Sequence, residues 1–439
     1  MQIHQTYLSP FVADLQRCIQ CGFCLPTCPT YNLTGKERSS PRGRIQMMKG
    51  IASGELSMSE LFAHEMFFCL DCRACETACP AGVQYSSVLS SSRSALFQID
   101  EKKIFSLSQK ILNGIFLSTA RIKFVAYVLR ILQKSGVMDA LHQSGIVKIF
   151  SSQLDEMLLL SPKIADEFSD KYFDKNKLKY KSHTHQNGNK RMRVGVPLGC
   201  VTNVAFPEVN IATVNVLEKL GYEIILTENI SCCGALHHHN GDEKNAKILA
   251  LQVMNSFEHF QCDIIASNTA GCGTAMKEYG KLFSGDSVND KRAIEFSKKV
   301  KDISEIIAES TFDEKANSTT FSKKVNITYH DACHLAHGQK ITEEPRKIIK
   351  QFQNVTLIEM KESSWCCGSA GVYNITHFSD AFQLLRRKME NIKQAQTDIV
   401  VTGNVGCMQQ LRYGADKCGV NVKVMHTVEF VRQMMEESN

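Results

Sequence analysis

The segments CIQCGFCLPTCP at residues 18–29 and CLDCRACETACP at residues 69–80 decide the fold of the N-terminal region. Each segment separates three cysteines by two residues, places a fourth cysteine after three more, and ends in proline. This is the pattern of two-cluster ferredoxins, in which the fourth cysteine ligates the other cluster. Zinc sites favour two separated cysteine pairs instead. The doubled pattern therefore predicts two [4Fe–4S] clusters in this region.

Crossed ligation predicts the ligands of each cluster. Thiolates suit both clusters because they are soft donors. The stretch between the two motifs contains Arg42 and Arg44, which are expected to pair with cluster charge, contact a partner or lie on an ordinary surface. The predicted ligands are Cys18, Cys21, Cys24 and Cys79 for the first cluster, and Cys69, Cys72, Cys75 and Cys28 for the second.

Composition places the chain among ordinary globular proteins. It has 439 residues, of which 43% are hydrophobic and 22% charged, and this excludes a disordered or collagen-like chain. The net charge of +6 is small for this length and indicates no nucleic-acid partner. The N-terminus has no basic segment followed by an apolar one, so we expect a cytoplasmic protein whose 18 cysteines serve as metal ligands or redox groups. No apolar run is long enough to predict a transmembrane helix.

A cysteine-free connector separates two cysteine-rich parts of the chain. Its segment from Ile104 to Leu160 places apolar residues at helical spacing, with Lys110, Arg121, Lys123 and Arg130 between them. Such a helix packs against its own protein, which is the favoured interpretation, or lies on a membrane surface or a partner. The polar stretch from Lys175 to Arg193 predicts a linker.

The C-terminal part contains an internal repeat. A single cysteine, a Cys-Cys-Gly motif and another single cysteine occur twice, at offsets of 133, 134 and 135 residues. Near-equal offsets at three positions indicate a duplicated module. The two sets are Cys200, Cys232, Cys233 and Cys272, then Cys333, Cys366, Cys367 and Cys407.

Each copy of the repeat predicts a parallel sheet with helices on its faces, because strand-like and helix-like segments alternate. The predicted strands are Arg193–Leu198, Tyr222–Thr227 and Cys262–Asn268, then Val325–Tyr329, Val355–Met360 and Asp398–Asn404; the segment Glu208–Gly221 is a predicted helix. Cysteines follow the C-terminal strand ends, where open α/β sheets place their sites. The segment from Thr311 to Lys324 is expected to be a loop.

The predicted fold class is therefore α+β / α/β, with a helical dicluster-ferredoxin domain followed by two duplicated α/β modules. The predicted domain ranges are residues 1–100 for the ferredoxin domain, 101–190 for the connector and linker, 191–310 for the first module and 325–439 for the second.

The cysteines of the modules leave several chemical interpretations open. Four thiolates can hold a further [4Fe–4S] cluster or a Zn²⁺ ion, and the vicinal pair Cys232–Cys233 suits a thiol redox site. Packed small residues are the alternative without chemistry, and Cys262 and Cys418, which have no repeat partner, are expected to be ordinary core or surface thiols. Polar residues near the modules either donate protons to a quinone or are simply solvated or hydrogen-bonded. They are His237, His238, His239, His330, Asp331, His334 and His337.

The chain resembles the iron–sulfur subunit of glycolate oxidase (glycolate dehydrogenase). The resemblance rests on CIQCGFCLPTCPTYNLTGKERSSPRGRI, CLDCRACETACPAGVQY, TAGCGTAMKEYG, SSWCCGSAGVYNITH and the two Cys-Cys-Gly repeats, and it covers nearly the whole chain. It implies that a separate FAD subunit oxidises glycolate to glyoxylate and passes electrons to the clusters. We further expect a membrane quinone as the acceptor and a peripheral location at the inner face of the cell membrane. The absence of G-x-G-x-x-G and of a phosphate-binding loop agrees with a flavin on a partner chain.

The motifs are shared with a wider superfamily, so alternatives remain. The chain also resembles lactate-utilisation iron–sulfur proteins, an iron–sulfur subunit of anaerobic glycerol-3-phosphate dehydrogenase and the cysteine-rich subunit of heterodisulfide reductase. The last holds a five-thiolate cluster on modules that end in Cys-x-x-Cys, whereas here Ala275 and Gln410 occupy the final cysteine positions. That difference argues against thiol–disulfide catalysis. A zinc-holding C-terminal half that only docks the flavoprotein is a further alternative.

Overall fold

The N-terminal region consists of short helices joined by the two cysteine loops. The computed structural model describes residues 8–104, 107–176, 191–227, 232–310 and 320–436. The helices are α1 Val12–Gln16, α2 Pro29–Thr34, α3 Pro41–Ser53, α4 Glu60–Phe68, α5 Ala74–Thr77 and α6 Tyr85–Ile104, with 3₁₀ turns at Ser9–Phe11 and Glu37–Ser39.

Local sequence explains where these helices begin and end. Helix α3 begins after Ser40, whose side chain accepts a hydrogen bond from the Gly43 N–H, and ends at Gly54 in the left-handed conformation. Its buried Ile45 and Met48 pack with residues of α4 and α6 in one apolar core. The core holds the two cysteine loops against each other, although 40 residues separate Cys28 from Cys69 in the chain.

The connector is helical, as the sequence predicts. One face of α8 packs inward, since Ile122 and Ala126 are buried in the core of the modules. The opposite face is open, with Phe124 69% and Ile131 66% exposed. The predicted packing of the connector against its own protein therefore holds for one face of α8 only. Among the described residues, no helix is long and apolar enough to cross a membrane. The connector helices are α7 Leu107–Phe116, α8 Thr119–Lys134, α9 Val137–Gln143, α10 Ile146–Phe150, α11 Ser152–Leu160 and α12 Ser169–Lys175.

The first module contains a parallel four-stranded sheet in the order β2-β1-β3-β4. Val194 of β1 pairs with Ile224 on one side and Ile264 on the other, and all three side chains are buried. In chain order the elements are β1 Arg193–Gly195, α13 Val201–Ala205, α14 Pro207–Lys219, β2 Glu223–Ile225, α15 Ala235–His239, α16 Glu243–Glu258, β3 Ile264–Ser267, α17 Ala270–Lys277, α18 Tyr279–Leu282, α19 Asp290–Lys299, β4 Val300–Asp302 and α20 Ile303–Glu309.

The second module repeats this topology in the order β6-β5-β7-β8, again with all strands parallel. The predicted duplicated fold is therefore confirmed. Its elements are β5 Thr320–His330, a π-helical segment His334–Gln339, α21 Glu343–Lys350, β6 Gln353–Leu357, α22 Tyr373–Thr376, α23 Phe378–Ala395, β7 Ile399–Thr402, α24 Val405–Cys418, β8 Lys423–His426 and α25 Thr427–Glu436.

The sheets differ from the sequence prediction in three respects. Each has a fourth strand, β4 or β8, which the prediction lacked because these strands are only three or four residues long and include charged or polar residues. Strand β1 is shorter than the predicted run. The predicted loop from Thr311 to Lys324 is wrong from Thr320 onward, where β5 begins and pairs with β6. Its residues 311–319, and residues 177–190 of the predicted linker, lie outside the described part of the chain.

The two modules share one hydrophobic core. Val194 and Leu217 of the first module belong to the same buried cluster as Ile327 and Phe430 of the second. The Ala270 N–H also donates to the Gly403 carbonyl at 3.1 Å, joining the segments that follow β3 and β7. The four domain ranges remain predictions, and the shared core indicates that the modules stabilise each other.

Candidate metal centres

Four cysteines from both motifs line one cavity. Cys18, Cys21 and Cys24 come from the first motif, and Cys79 comes from the end of the second. The Gln20 Nε2 lies 3.6 Å from Cys18 Sγ, so it adds a polar donor at the sulfur. The structure thus brings together the four thiols that the prediction of crossed ligation assigns to the first cluster.

The other four cysteines line a second cavity. Cys28 closes the first motif, yet it faces Cys69, Cys72 and Cys75 of the second motif. Cys75 also lines the first cavity, so the two sites are direct neighbours. The Asp71 N–H donates to Cys69 Sγ at 3.4 Å, a contact of the kind that tunes iron–sulfur centres.

Burial makes these thiols costly to ionise without a positive partner. It raises the pKa of Cys24 to about 11 and raises the pKa values of Cys28, Cys72 and Cys75. Buried anions need a counter-charge, and a bound metal centre supplies one. Two groups of four thiols, of which Cys28, Cys72 and Cys75 are buried and Cys21 is exposed, fit two clusters with all-cysteine ligation.

Arg44 is a buried cation that lines the second cavity, as Arg73 also does. It is completely buried, donates to the Glu65 carbonyl at 2.7 Å and the Ser39 carbonyl at 2.8 Å, and lies 3.6 Å from Glu65 Oε2. Burial is the largest influence on the pKa of Cys28 and raises it, while Arg44 acts in the opposite direction. Arg44 is therefore buried and not on the surface, and it lies near Cys28, a predicted cluster ligand. Arg42 lines the first cavity and pairs with Glu37 at 2.7 Å.

The first module brings its four candidate cysteines together. They lie past the C-terminal ends of β1, β2 and β3, in agreement with the predicted convergence. Cys232 lies against Cys200 and Cys233, and Cys233 lies against Cys272. Hydrogen bonding to Cys200 acts most strongly on the pKa of Cys232 and lowers it, but Cys233 and burial outweigh that effect and raise the pKa.

The second module repeats the arrangement and adds a histidine. Cys366 lies against Cys333 and Cys367, and Cys367 lies against Cys407. The ligand atoms of His330, Cys367 and Cys407 all lie within 4.8 Å of one another. Hydrogen bonds from Cys366 and Cys407, together with the neighbouring His330, lower the pKa of Cys367 below its ordinary value despite burial.

Backbone geometry explains the glycine of each Cys-Cys-Gly motif. Gly234 has φ +81° and Gly368 has φ +88°, which side-chain-bearing residues rarely adopt. A Cβ at Gly368 would lie 2.5 Å from the Ala381 carbonyl oxygen, and one at Gly234 would lie 2.9 Å from that of Ala246. Glycine thus allows the cysteine loop to approach the following helix, α16 or α23.

The second cysteine motif lies between the two modules and contacts both. Arg73 pairs with Glu278 of the first module at 2.9 Å, and Thr77 hydrogen-bonds to His337 of the second at 3.0 Å. Cys72 shares a buried apolar cluster with Cys366, and Cys333 packs against that cluster. The second N-terminal site is therefore adjacent to the site of the second module.

The candidate histidines are mostly buried and hydrogen-bonded. His239 Nδ1 lies 3.0 Å from Asp71 Oδ2, and His334 Nε2 lies 3.0 Å from the Asp71 carbonyl. Burial lowers the pKa of His334 to about 4 and lowers the pKa values of His237, His238 and His337. Burial therefore favours the neutral form of His237, His238, His334 and His337, and the proposed proton transfer to a quinone remains a prediction.

Three residues near the sites escaped the sequence interpretation. Glu65 is buried beside Arg44, Arg93 donates to the Cys69 and His239 carbonyls at 2.6 and 3.0 Å, and Lys388 is buried beside Cys366 and Cys367. Each lies on a helix whose sequence gives no motif. The sequence signal available for these residues was a charged side chain among the apolar residues of each helix.

This arrangement defines a class of protein. Paired cysteine cavities in a helical domain, joined to a duplicated α/β unit with thiols at its strand ends, are the framework of an iron–sulfur protein with a dicluster domain and cysteine-rich repeats. Residues 14–83 match the family described as 4Fe-4S dicluster domain, and residues 194–277 and 327–412 match the cysteine-rich domain. Residues 106–158 match the linker region of the glycolate oxidase iron–sulfur subunit.

Curated relatives narrow the class to one family. The chain is 32% identical to the probable glycolate oxidase iron–sulfur subunit of Bacillus subtilis (strain 168), over 94% of this chain and 91% of the relative. It is 29% identical to the glycolate oxidase iron–sulfur subunit of Escherichia coli (strain K12), over 96% and 95%. Lactate utilization protein A of Geobacillus sp. (strain WCH70) is 26% identical over 54% of this chain and 98% of the relative. The chain belongs to the family of glycolate oxidase iron–sulfur subunits, and the predicted resemblance is confirmed.

Proposed function

We propose that the chain is the electron-transfer subunit of a flavin-dependent glycolate dehydrogenase. A partner subunit that contains FAD oxidises glycolate to glyoxylate, and this chain carries the electrons to an acceptor such as a membrane quinone. The observation that carries the proposal is the adjacency of the two cysteine-lined cavities, which share Cys75. Adjacent clusters are what a protein needs to move single electrons over a distance.

The residues present fit two [4Fe–4S] clusters with crossed ligation. Cys18, Cys21, Cys24 and Cys79 would hold the first, and Cys28, Cys69, Cys72 and Cys75 would hold the second. When bound, the clusters would supply one-electron redox chemistry. The protein's own contribution is to bury the thiols, place Arg44 beside Cys28, and donate the Asp71 N–H to Cys69.

The modules extend this chain of sites. The four thiols of each module would hold a further [4Fe–4S] cluster or a zinc ion. They are Cys200, Cys232, Cys233 and Cys272 in the first module, and Cys333, Cys366, Cys367 and Cys407 in the second. The packing of Cys333 against the apolar cluster that contains Cys72 makes the second module the natural continuation of the N-terminal pair.

Glycolate is favoured over the other substrates of the superfamily. Matches to the glycolate oxidase subunits extend over nearly the whole chain, and the connector matches their linker region. The lactate-utilisation relatives match only about half of the chain. A heterodisulfide-reductase-like thiol function is disfavoured because Ala275 and Gln410 replace the final cysteines.

The connector supports a peripheral position at the inner face of the cell membrane. Residues 104–138 contain five cations and no acidic residue. The connector helices also expose large apolar side chains, with Phe124 69%, Ile149 83% and Phe150 84% exposed. Basic and apolar side chains together bind anionic bilayer surfaces. Co-sedimentation with anionic vesicles tests this, and loss of sedimentation is expected when Ile149 and Phe150 are both changed to serine.

Reconstitution tests the main proposal. The purified chain, which is expected to contain iron but no flavin, should not oxidise glycolate by itself. Adding the FAD-containing subunit should give glycolate-dependent reduction of the clusters, seen by EPR, and turnover with a quinone analogue. Lactate and glycerol 3-phosphate serve as the comparison substrates. The proposal would be contradicted if the flavin-free chain oxidised glycolate. It would also be contradicted if lactate or glycerol 3-phosphate reduced the clusters faster than glycolate does.

A further inference from the structure

His330 is a buried imidazole without a conventional hydrogen-bond partner. It is the last residue of β5 and is completely inaccessible to solvent. Within the described part of the chain, neither ring nitrogen has a nitrogen or oxygen partner, and the ring lies against the Cys367 thiol. Leaving such a ring unsatisfied is costly, so a buried polar group of this kind indicates a missing ligand.

The surroundings of His330 identify the ligand as a metal ion. A nitrogen of its ring and the sulfurs of Cys367 and Cys407 lie within 4.8 Å of one another. Donors about 2.0–2.3 Å from one zinc ion are at most about 4.6 Å apart. A group whose atoms lie within 4.8 Å of one another therefore needs little or no movement to share a single ion. Thiolates that each bind a different iron of a cluster are separated further. His330, Cys367 and Cys407 are the only group of this compactness in the described residues.

The described residues of the first module contain no such donor set. The residue three positions before Cys200 is Pro197, whereas the residue three positions before Cys333 is His330. Proline offers no ligand atom. The duplication has therefore left two sites that differ at this position, where the first module offers no ligand atom and the second places an imidazole among its thiols.

We propose that the second module binds a single zinc-like ion through His330, Cys367 and Cys407. This inference rests on the proposed function only because both assign a metal to the second module. It differs in assigning one ion with a nitrogen ligand to that module instead of a further [4Fe–4S] cluster. The Asn404 side chain donates to Cys407 Sγ at 3.3 Å and supports one ligand from outside the coordination sphere. Cys366 and Cys333 continue the row of thiols and offer the fourth ligand of a tetrahedron.

The test uses full-length protein purified without oxygen and loaded with zinc. The Cys233→Ser variant disrupts the thiol site of the first module, so zinc X-ray absorption on this variant isolates the second module. We expect nitrogen as well as sulfur in the coordination sphere and about one ion per chain. Changing His330 to alanine in the same background should remove that ion, and His330→Cys should restore it.

His426→Asn is the matched control, because His426 is another fully buried histidine of the second module and also has an unpartnered Nε2. It lies outside the compact group and should leave the zinc content unchanged. Cys367→Ser should lose the ion, like His330→Ala. An all-sulfur zinc spectrum, or full zinc retention in folded His330→Ala, would overturn the inference. EPR of the two N-terminal clusters reports separately on the proposed function, because those clusters should persist in every variant.

Discussion

Asp71 of the second cysteine motif accepts a hydrogen bond from His239 of the first module at 3.0 Å. Burial raises the pKa of the Asp71 carboxyl, but its charged neighbours lower it more, and His239 has the largest effect among them. The pKa of Asp71 therefore lies below its usual range, and the side chain is an anion. The same loop contacts His337 of the second module through Thr77. Because one cysteine loop is tied to both modules, loading its cluster should stabilise more than the N-terminal domain.

Crossed ligation predicts opposite outcomes for two cysteine variants. Cys79→Ser should damage the cluster of Cys18, Cys21 and Cys24, because Cys79 lines their cavity. Cys28→Ser should damage the cluster of the second motif instead. EPR of the reduced protein and iron analysis distinguish the two.

Cys418→Ser provides the matched control for these variants. Cys418 is a half-buried thiol at the end of α24, outside both cavities, and its loss should leave iron content unchanged. Selective loss of the second motif's cluster in Cys79→Ser would show that each motif closes on itself.

Arg44→Met should destabilise the N-terminal domain strongly. The change leaves the buried Ser39 and Glu65 carbonyl oxygens without the Arg44 donors and removes the fully buried guanidinium beside the Glu65 carboxylate, which keeps only the half-exposed Arg38 at 3.0 Å. Losing one partner of a buried charge network in this way costs about 3–5 kcal/mol. Arg42→Met, in the same helix, removes an ion pair that is open to solvent and should have a much smaller effect. Denaturant midpoints followed by circular dichroism compare the variants. Equal shifts would contradict the buried role of Arg44.

Gly368→Ala should damage the second module more than a matched glycine variant does. The substitution places a Cβ 2.5 Å from the Ala381 carbonyl oxygen, in addition to the strain of φ +88°. Gly419 has φ +62°, and no described atom lies within 4 Å of the position that a Cβ would take there. Gly419→Ala should therefore cost only about 1–2 kcal/mol of backbone strain. Thermal unfolding and metal content measure both effects, and a Gly368→Ala protein as stable as Gly419→Ala would argue against the close approach.

His426 should make stability depend on pH. Burial lowers its pKa to about 4, from about 6.5 in the unfolded chain, so the folded state binds this proton less readily. The contribution is complete above pH 6.5 and declines by up to about 1.4 kcal/mol per pH unit as the pH falls towards 4. Arg412 adds to the shift, and Glu429 Oε2 accepts the His426 backbone N–H at 2.9 Å.

His426→Asn isolates this effect from that of the other buried histidines. The variant should show a shallower loss of unfolding free energy between pH 6.5 and pH 4.5 than the parent chain, measured by urea denaturation. Identical slopes in the two proteins would show that His426 does not contribute.

Local patterns determined much of this protein. Cysteine spacing indicated the dicluster domain, because a metal cluster imposes its geometry on a short loop. Three matching offsets revealed the duplication, and alternating apolar segments predicted parallel sheets. The same signals failed for β4 and β8, since a strand of three or four residues carries too little periodicity to be recognised.

Only the tertiary structure decided which of these groups meet. The sequence placed Cys72 and Cys333 in different domains, but packing of the cysteine loop between the modules brings them to one apolar cluster. His330 looked like any of several histidines near the modules, yet the end of β5 buries it beside Cys367 and Cys407. Burial and proximity arise from contacts between distant segments, and these contacts form only when the core shared by both modules is assembled.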